Sequence, residues 1–578
     1  MTHDCTSLLS QQLACLIFVC SLLVYPGCSP ELEFKFVGDS PSIERADEPL
    51  NDDTSPIKLS FFSRYVSGVY KQSGAEIVVF EPVTKRAFVV NAFSGKVDVL
   101  DLADIAKPNL LFSIDVSDLG AAANSVSVSN GMVAIAVEAT NRTENGFVAF
   151  YDTDGIRKSV VEVGALPDAV TFSPDGKWVL VANEGEPNAD YTIDPEGSVS
   201  IIDVSQGIDQ LTAAHVRTAD FRQFNGKEDE LRAQGIRIFG PNASAAQDFE
   251  PEWVEVTSDS SRAYVSLQEN NAVAEIDIAS ATVTRVMPLG FKDWSSGAKW
   301  AGRGFDASDK DNRINIRNWP VYGMFQPDTI KLYEVDGKTY IITANEGDAR
   351  AYDGFSEEAS VADLQLDRSV FPDAEELQLP ENLGRLLVTR TEGGFVVNAG
   401  PNEGEHLVYR ELYSFGARSM SIWMVAETGL ELVYDTGSQI EETTAAMYPE
   451  FFNADHQDSP TQFDKRSRSK GPEPEGLAVG SIGGRTYAFL GLERIGGVMV
   501  YDITEPAKTK FLQYLNSRDF SIATDPTAAH TQTDLGAEGL FFVGAADSPD
   551  SQGRPLLLVG NEVSGTTAIY LIEVSGQE

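Results

Sequence analysis

The sequence predicts an all-β protein, a seven-bladed β-propeller with long loop insertions on one face, and three observations lead to this prediction. Short alternating apolar runs are separated by turn clusters such as Ser173-Pro174-Asp175-Gly176-Lys177, and long helical periodicity is absent. One pattern recurs seven times: an apolar strand ending in a polar or acidic residue, a loop, then a second alternating strand. A further strand precedes each copy, so radial packing of four-stranded units accounts for the body of the chain.

The seven copies define where each unit begins and ends. Their second strands end at Asn91, Glu138, Glu184, Glu269, Glu346, Glu493 and Glu562. The strands that precede them begin at Glu76, Ser125, Asp168, Glu252, Asp328, Glu475 and Glu538. The seventh unit has no fourth strand of its own, whereas Ile57 to Val66 is an additional strand ahead of the first unit. We therefore expect this N-terminal strand to complete the last blade and close the ring.

The N-terminal residues predict export. All four cysteines, Cys5, Cys15, Cys20 and Cys28, lie ahead of the repeats, so the body has no cysteine for a disulfide or a zinc site. The apolar run from Leu13 to Tyr25 has the length of a signal-peptide core, and the Gly27-Cys28 that follows resembles a bacterial lipobox. Either Cys28 is lipid-modified or cleavage occurs nearby without lipid. The predicted domains are a signal peptide (1–28), an acidic flexible tether (29–56) and the propeller (57–578).

The charge balance restricts the partners. The chain has 578 residues with 44 Lys and Arg against 87 Asp and Glu, a formal net charge of −43. Nucleic acids and anionic lipid headgroups would repel such a surface, so we expect no nucleic-acid partner and membrane contact only through a lipid anchor at Cys28. Divalent cations are the favoured partners.

Strand geometry predicts where the acidic residues meet. In an antiparallel hairpin the start of the first strand lies beside the end of the second, so acids such as Asp168 and Glu184 share one end of a blade. First strands line the axis of a propeller, and these acids should therefore converge on one mouth of the channel. Ca²⁺ suits them because it takes six to eight oxygen ligands. The predicted ligands are Glu184, Glu252, Asp328, Glu346, Glu475, Glu493, Glu538 and Glu562.

The alternative for each glutamate is structural: it accepts hydrogen bonds from backbone N–H groups or from arginines at the end of a blade. The long insertions emerge on the same predicted face as the acids. They are 185–196, 222–250, 291–326, 347–415, 439–474 and 518–536.

Two charged residues near Glu346 are the candidate catalytic groups. Asp348 and Arg350 lie in Asn-Glu-Gly-Asp-Ala-Arg, which offers two metal ligands and one phosphate donor within five residues after the asparagine. The other motif arginines, Arg317, Arg418 and Arg494, either clamp phosphate or pair with adjacent acids. Asp306, Asp309 and Asp311 form an oxygen-rich loop that does not match EF-hand spacing. His215, His406 and His456 have no metal-ligand spacing and are predicted to be structural or surface residues.

Several longer motifs resemble one known family. They include Val181-Ala182-Asn183-Glu184-Gly185-Glu186-Pro187, Thr343-Ala344-Asn345-Glu346-Gly347-Asp348-Ala349-Arg350 and Gly471-Pro472-Glu473-Pro474-Glu475-Gly476. Over these motifs, and from about residue 60 onward, the chain resembles the choice-of-anchor I domain proteins. That family includes bacterial chains often labelled alkaline phosphatase and mesenchyme-specific cell-surface glycoproteins of biomineralising animals. The resemblance implies a propeller, an exported and surface-linked protein, and phosphatase activity.

Two functions follow as alternatives. The first is an envelope-associated phosphoester hydrolase that uses Ca²⁺ or another divalent metal at the acidic mouth. The second is a non-enzymatic calcium-binding surface propeller that recognises a protein or a glycan. Both place the protein outside the cytoplasm, as an outer-membrane or cell-surface lipoprotein or as a secreted or periplasmic protein.

Overall fold

The computed structural model describes residues 55–398, 405–456, 462–522 and 533–575. The predicted signal peptide, Cys28 and all but the last two residues of the predicted tether lie outside these ranges. The described residues form seven four-stranded antiparallel sheets, one five-stranded sheet and one two-stranded hairpin. The predicted all-β class is confirmed.

The seven four-stranded sheets follow one another along the chain, and we number them in that order. Their strands are Val78–Glu81, Arg86–Asn91, Lys96–Asp101 and Asn109–Asp115 in the first sheet; Ala122–Ser129, Met132–Glu138, Asn145–Asp152 and Arg157–Ala165 in the second; Pro167–Phe172, Trp178–Asn183, Ser198–Asp203 and Val216–Asp220 in the third; Pro251–Val256, Arg262–Leu267, Ala272–Asp277 and Thr282–Pro288 in the fourth; Ile330–Val335, Lys338–Asn345, Ser419–Ala426 and Gly429–Asp435 in the fifth; Pro474–Ile482, Arg485–Leu492, Val498–Asp502 and Lys510–Leu515 in the sixth; and Ala537–Val543, Leu556–Asn561, Thr566–Val574 and Ile57–Val66 in the seventh.

Each sheet is buried on both faces, because apolar cores lie between consecutive sheets. In the second sheet the four consecutive residues from Ala134 to Val137 are all fully buried, although their side chains alternate between the two faces. Separate apolar clusters join the first sheet to the second, the second to the third, and so on to the seventh. A further cluster joins the seventh sheet to the first, with Leu556 and Leu558 packed near Val78 and Phe80.

The seventh sheet combines the two ends of the described chain. Ile57–Val66 pairs antiparallel with Thr566–Val574, and Ile57 lies opposite Val574. Ile57 and Leu59 are each 1% exposed. The Leu59 backbone also contacts the sixth sheet, since its N–H donates to Gln513 Oε1 and its carbonyl accepts from Gln513 Nε2, both at 2.8 Å. The predicted pairing of the N-terminal strand with the last unit is confirmed.

The insertions fold into a layer of their own rather than remaining simple loops. We call the described residues of 291–326 and 347–415 the insertion layer. Its apolar core includes Trp294, Phe305, Trp319, Leu383 and Leu386, all 1% exposed or less. The five-stranded sheet is made of Phe291–Asp293, Tyr322–Met324, Tyr413–Ser414, Leu387–Thr389 and Glu358–Ser360, and the hairpin of Gly394–Asn398 and Glu405–Tyr409. The apolar residues are scattered without a regular period, so the sequence alone did not reveal this layer.

Helices are short and confined to the connections. The α-helices are Glu228–Ala233, Ala245–Asp248, Ala374–Leu377 and Gln439–Met447, and the 3₁₀ segments are Ala92–Ser94, Ala213–His215, Arg222–Phe224, Val361–Asp363, Pro449–Phe451 and Pro506–Lys508. None of the helices in the described ranges has the length and apolar character that a bilayer crossing requires.

Candidate metal centre

A repeated irregularity in the first strands positions the acidic residues. In four sheets the pairing register of the first strand shifts around its acidic residue, which is Asp168, Glu252, Glu475 or Glu538. A β-bulge bends the strand locally and re-aims the side chain at that point. In three of these sheets a proline begins the strand, where its missing N–H costs no ladder hydrogen bond. Because of this irregularity, the acidic side chain does not follow the regular alternation of side chains between the two faces of the sheet.

All seven sheets contribute to one cavity of about 470 Å³. The residues at or near the start of the first strands that line it are Glu76, Ser125, Asp168, Glu252, Asp328, Glu475 and Glu538. Second-strand ends add Glu184, Glu346 and Glu493, and the insertion layer adds Asp348. Seven of the eight predicted metal ligands thus line the cavity. The eighth, Glu562, is grouped with Glu76 and Glu538 at its edge.

Three of the predicted ligands come close enough to share one ion. Oxygens of Asp328, Glu346 and Glu475 lie within 4.8 Å of one another. Ca²⁺ binds oxygens at about 2.3–2.6 Å, so two oxygens on the same ion are separated by at most roughly 5 Å. Three further groups meet the same distance criterion: Glu346, Glu473 and Glu493; Glu76, Glu538 and Glu562; and His456, Glu493 and Glu562.

The environment of the cavity disfavours ionised carboxylates. Burial, with smaller contributions from neighbouring acids, raises the pKa of Glu76 to about 8 and that of Asp168 to about 7. Burial also raises the pKa of Glu346 to about 7, although Lys470 opposes the shift. For the same reasons the pKa is well above its usual range at Glu184, Glu252, Asp328, Glu475 and Glu538. A cation bound among these groups would favour their charged forms.

Hydrogen bonding accounts for some of these acids but not for others. Glu346 Oε2 accepts from Gln268 Nε2 at 2.9 Å, and its other oxygen contacts Lys470. By contrast, one oxygen each of Glu252, Glu475 and Glu538 is buried without a hydrogen-bond donor among the described residues. Buried polar atoms normally have partners. The structural alternative, in which the glutamates close the blade ends by accepting hydrogen bonds, therefore leaves these three oxygens unexplained.

Two cationic side chains, Lys470 and Arg494, stand among ten carboxylates in the described lining of the cavity. Lys470 Nζ lies 3.3 Å from Glu473 Oε2, and Arg494 Nε lies 2.7 Å from the same atom. Burial alone would raise the pKa of Glu473, but Lys470, Arg466 and Arg494 outweigh it and hold that pKa well below its usual range. Lys470 Nζ also lies 2.5 Å from Glu346 Oε1, and an Arg494 nitrogen lies 3.0 Å from Glu493 Oε1, so the positive charge is shared among Glu473, Glu346 and Glu493.

The two predicted catalytic residues, Asp348 and Arg350, lie in different environments. Asp348 lines the cavity, and its side chain is 55% exposed. Arg350 is 1% exposed, and its guanidinium nitrogens lie 2.7 Å from Asp248 and 3.0 Å from Glu250. Arg350 is paired with these two buried acids and is not part of the cavity lining, so its position does not favour the predicted role of clamping substrate phosphate. Arg350 instead ties the 347–415 insertion to the segment that precedes the fourth sheet.

The other three motif arginines also differ from one another in what they contact. Arg317 stacks on Trp319 with its guanidinium carbon 3.7 Å from the ring centre, and buried Arg418 pairs with Glu441 at 2.6 Å. Arg494 alone of the four motif arginines lines the cavity. Pairing with internal partners, the simpler alternative, therefore accounts for Arg350 and Arg418.

Several residues of the site were not among the predicted ligands. Glu76 was placed at a strand start and Glu473 in a motif, but neither was assigned to the metal. His456 was predicted to be structural, yet its Nδ1 lies 3.2 Å from Glu493 Oε1. Lys470 belongs to the same inter-sheet insertion as His456. No sequence spacing could identify this histidine, because the acids near it come from strands of other sheets.

Comparison with known proteins gives one family match. Residues 76–506 match the model of the choice-of-anchor I domain. A mesenchyme-specific cell surface glycoprotein of Strongylocentrotus purpuratus is 27% identical over 334 residues, 52% of this chain and 42% of that protein. Gigasin-3a of Magallana gigas is 32% identical over 195 residues, 32% of this chain and 64% of that protein. Each alignment thus spans less than two thirds of the relative's own length.

Comparison with solved structures gives matches at low identity and low TM-score. Hydrazine synthase of Kuenenia stuttgartiensis gives a TM-score of 0.42 at 14% identity and covers 89% of this chain and 100% of that one. The Cps50 (Swd1) β-propeller domain of Myceliophteria thermophila gives 0.40 at 10%, covering 89% and 99%. Streptogramin B lyase gives 0.39 at 9%, covering 90% and 98%.

Proposed function

The chain belongs to the choice-of-anchor I domain family, and from this premise we propose that it is an exported surface protein whose acidic cavity binds divalent cations, above all Ca²⁺. One observation carries the proposal: each of the seven sheets contributes a residue at or near the start of its first strand to the same cavity, and six of those seven residues are acidic. Burial and mutual repulsion raise the pKa values of these carboxylates and so favour their protonated forms. Such carboxyls can exchange a proton for a cation.

The proposed architecture is a closed seven-bladed propeller in which each four-stranded sheet is one blade. The apolar cluster between the seventh and first sheets and the pairing of Ile57–Val66 with Thr566–Val574 support closure. In this arrangement the cavity is the mouth of the central channel. Closure also gives every blade a neighbour on both faces, which buries its apolar side chains.

The donor set favours calcium over softer metals. Asp328, Glu346 and Glu475 offer only oxygen, and hard cations prefer carboxylate ligands. Lys470 and Arg494 compensate the charge of Glu473, and Lys470 also contacts one oxygen of Glu346. Asp328 and Glu475 therefore supply most of the negative charge that remains available to an ion. The group of His456, Glu493 and Glu562 contains an imidazole and is the place where another divalent metal would bind.

The test is a calcium titration of the purified, chelator-treated chain by calorimetry, together with Glu475→Gln and Asp229→Asn. Glu475→Gln removes one ligand charge while preserving shape, and we expect it to weaken calcium binding at least tenfold, or about 1.4 kcal/mol. Asp229 is the matched control because its side chain is fully exposed and is not part of the cavity lining. Equal calcium binding in the wild type and Glu475→Gln, or no binding at all, would reject the assignment.

A second candidate function is phosphoester hydrolysis assisted by the bound metal. Lys470 and Arg494 favour it, because they place two phosphate-binding cations beside Asp348 and the carboxylate cluster. In this reaction the metal would polarise the phosphoryl group and activate water. The roles given to Arg350 pass to these two residues.

The hydrolase proposal is tested with chains loaded in turn with Ca²⁺, Mg²⁺, Zn²⁺ or Fe²⁺ and assayed on phosphomonoesters. Arg494→Gln should lower kcat/KM more than tenfold, whereas the exposed Arg222→Gln should leave it unchanged. If no metal supports hydrolysis above background, the non-enzymatic propeller that binds a protein or a glycan replaces the enzyme.

Export and anchoring complete the proposal. A signal peptide over residues 1–28 and lipid attachment at Cys28 would hold the propeller at the envelope surface through the tether 29–56. Cleavage without lipid attachment would give a secreted or periplasmic form of the same propeller.

A further inference from the structure

The first and seventh sheets meet along a seam that carries three acidic side chains. Glu76 precedes the first strand of the first sheet, whereas Glu538 lies in the first strand of the seventh sheet and Glu562 follows its second strand. Oxygens of these three carboxyls lie within 4.8 Å of one another, and we call them the seam group. Two oxygens on one Ca²⁺ are separated by at most roughly 5 Å, so the seam group can share an ion. It has no residue in common with the calcium ligands proposed above.

Close backbone packing fixes the position of Glu76 between the two sheets. A Cβ atom at Gly560 would lie 2.0 Å from the Glu76 carbonyl oxygen, and a Cβ atom at Gly539 would lie 2.3 Å from it. Glycine in these two strands of the seventh sheet therefore allows the backbone of Glu76 to approach. The Glu76 N–H donates to the Val90 carbonyl of the first sheet at 3.1 Å. The backbone thus holds Glu76 against both sheets.

The negative charge of the seam group is poorly compensated. Within the described ranges, neither Glu76 nor Glu538 forms an ion pair with a lysine, an arginine or a histidine, and Glu562 has one such contact, 3.9 Å from His456 Nδ1. Glu562 Oε2 also lies 3.4 Å from Ser73 Oγ, which is a neutral donor. The three carboxyls therefore repel one another unless protons or a cation reduce their charge.

One buried oxygen of the seam group has no partner. Glu538 Oε2 is buried and receives no hydrogen bond from any residue of the described ranges, although Glu538 lines the cavity. Native interiors seldom leave such an atom unsatisfied. Burial, followed by repulsion from Glu76 and Glu562, also raises the pKa of Glu538 well above its usual range. A bound cation would give this oxygen a partner and would remove the repulsion.

Cationic side chains already contact two other groups of ligand atoms that are close enough to hold an ion. Arg494 Nη1 lies 3.0 Å from Glu493 Oε1, which belongs to both groups, and 2.7 Å from His456 Nε2 in one of them. Lys470 Nζ lies 3.3 Å from Glu473 Oε2 in the other. No lysine or arginine in the described parts of the chain contacts the seam group in this way, so an ion meets no competing side-chain cation there.

We propose that Glu76, Glu538 and Glu562 bind a second calcium ion, which fastens the first sheet to the seventh. The proposal rests on the cation binding proposed for the cavity and adds a separate ion with a structural role. All the donors are carboxyl oxygens, which a hard divalent cation prefers. Because they come from both sheets, the ion stabilises the same junction as the apolar cluster that contains Leu556 and Val78.

The sign of one mutational effect separates an ion from shared protons. With an ion, Glu538→Gln removes a charged ligand, so it should reduce the rise in melting temperature that calcium produces in the wild type. In chelator the same change relieves repulsion, so the melting temperature should rise or stay constant. With protons alone, Glu538→Gln should shift the melting temperature equally in calcium and in chelator, and that result would contradict the proposal.

The main experiment counts bound calcium per purified full chain by equilibrium dialysis. We expect Glu538→Gln and Glu76→Gln each to bind one calcium fewer than the wild type, and the double variant to lose only that same ion. Glu573→Gln is the matched control, because Glu573 is an exposed residue of the seventh sheet, and it should bind as many ions as the wild type. An unchanged calcium count in Glu538→Gln would overturn the inference.

Hydrogen exchange locates the ion and separates this proposal from the cavity proposal. The Gly74 N–H donates to the Glu562 carbonyl at 3.0 Å, so its exchange reports on the seam. Calcium should slow this exchange in the wild type and in the cavity variant Glu475→Gln, but not in Glu538→Gln. A chain that binds no calcium rejects both proposals. Calcium binding with equally slowed exchange in Glu538→Gln overturns this inference alone.

Discussion

Calcium binding in the cavity should release protons and should therefore strengthen as the pH rises. Glu346 has a pKa raised to about 7, so roughly half of this carboxyl is protonated at pH 7. Burial raises the pKa values of Asp328 and Glu475 well above their usual range, with further contributions from Glu346 at Asp328 and from Glu493 at Glu475. An ion shared by these three residues must displace those protons.

The expected size follows from the number of protons displaced. Release of one to two protons makes the apparent calcium affinity rise about 10- to 100-fold per pH unit, or about 1.4 to 2.7 kcal/mol. Without metal, the free energy of unfolding should fall as the pH rises, whereas the calcium affinity rises. These carboxyls have a higher pKa in the folded chain than in the unfolded chain, so their stabilising contribution is complete below about pH 4. For Glu346 it is lost as the pH rises through about 7.

Calorimetry measures the proton release directly. Titrations at about pH 6, 7 and 8, in pairs of buffers that differ in ionisation enthalpy, give the protons released per calcium from the difference in heat. Melting curves in chelator over the same range give the metal-free trend. A calcium affinity that stays constant with pH, and heats that do not depend on the buffer, would refute this account of the cavity.

Three other changes test separate parts of the account. Deleting residues 57–66 should lower the free energy of unfolding by about 3–6 kcal/mol, because the buried side chains of Ile57 and Leu59 are lost; an unchanged melting temperature would argue against ring closure. Arg350→Met should cost about 3–5 kcal/mol of stability by leaving Asp248 and Glu250 buried without their partner; a loss of hydrolysis at unchanged stability would instead restore its predicted catalytic role. In cells fed labelled fatty acid, the wild type should carry label and Cys28→Ala should not, and an unlabelled soluble wild type would contradict the lipid anchor.

The sheets could be predicted because their signal is local. Strand alternation and turn residues repeat in every unit, and they located pairs such as Arg86–Asn91 with Lys96–Asp101 without any long-range information. The N-terminal strand was recognisable because the seventh unit was one strand short. The sequence could not show that the insertions share a core, since Trp294 and Leu386 are far apart in the chain and belong to no regular period.

The candidate site was predictable to the extent that strand ends determine it. Acids at the start of first strands and the end of second strands must share one end of a sheet, which brought Asp328, Glu346 and Glu475 together correctly. Arg350 follows no such rule: its partners lie about a hundred residues earlier, and its spacing from Glu346 does not determine where its side chain points. His456 was missed for the same reason.

The most direct test of the central claim is anomalous X-ray scattering from crystals of the chain grown with calcium. The account predicts an anomalous peak within bonding distance of Asp328, Glu346 and Glu475, at about 2.3–2.6 Å from their oxygens. The peak should disappear in crystals of Glu475→Gln. A cavity without anomalous density at saturating calcium, with these carboxyls hydrogen-bonded to one another, would contradict the claim that it is a cation site.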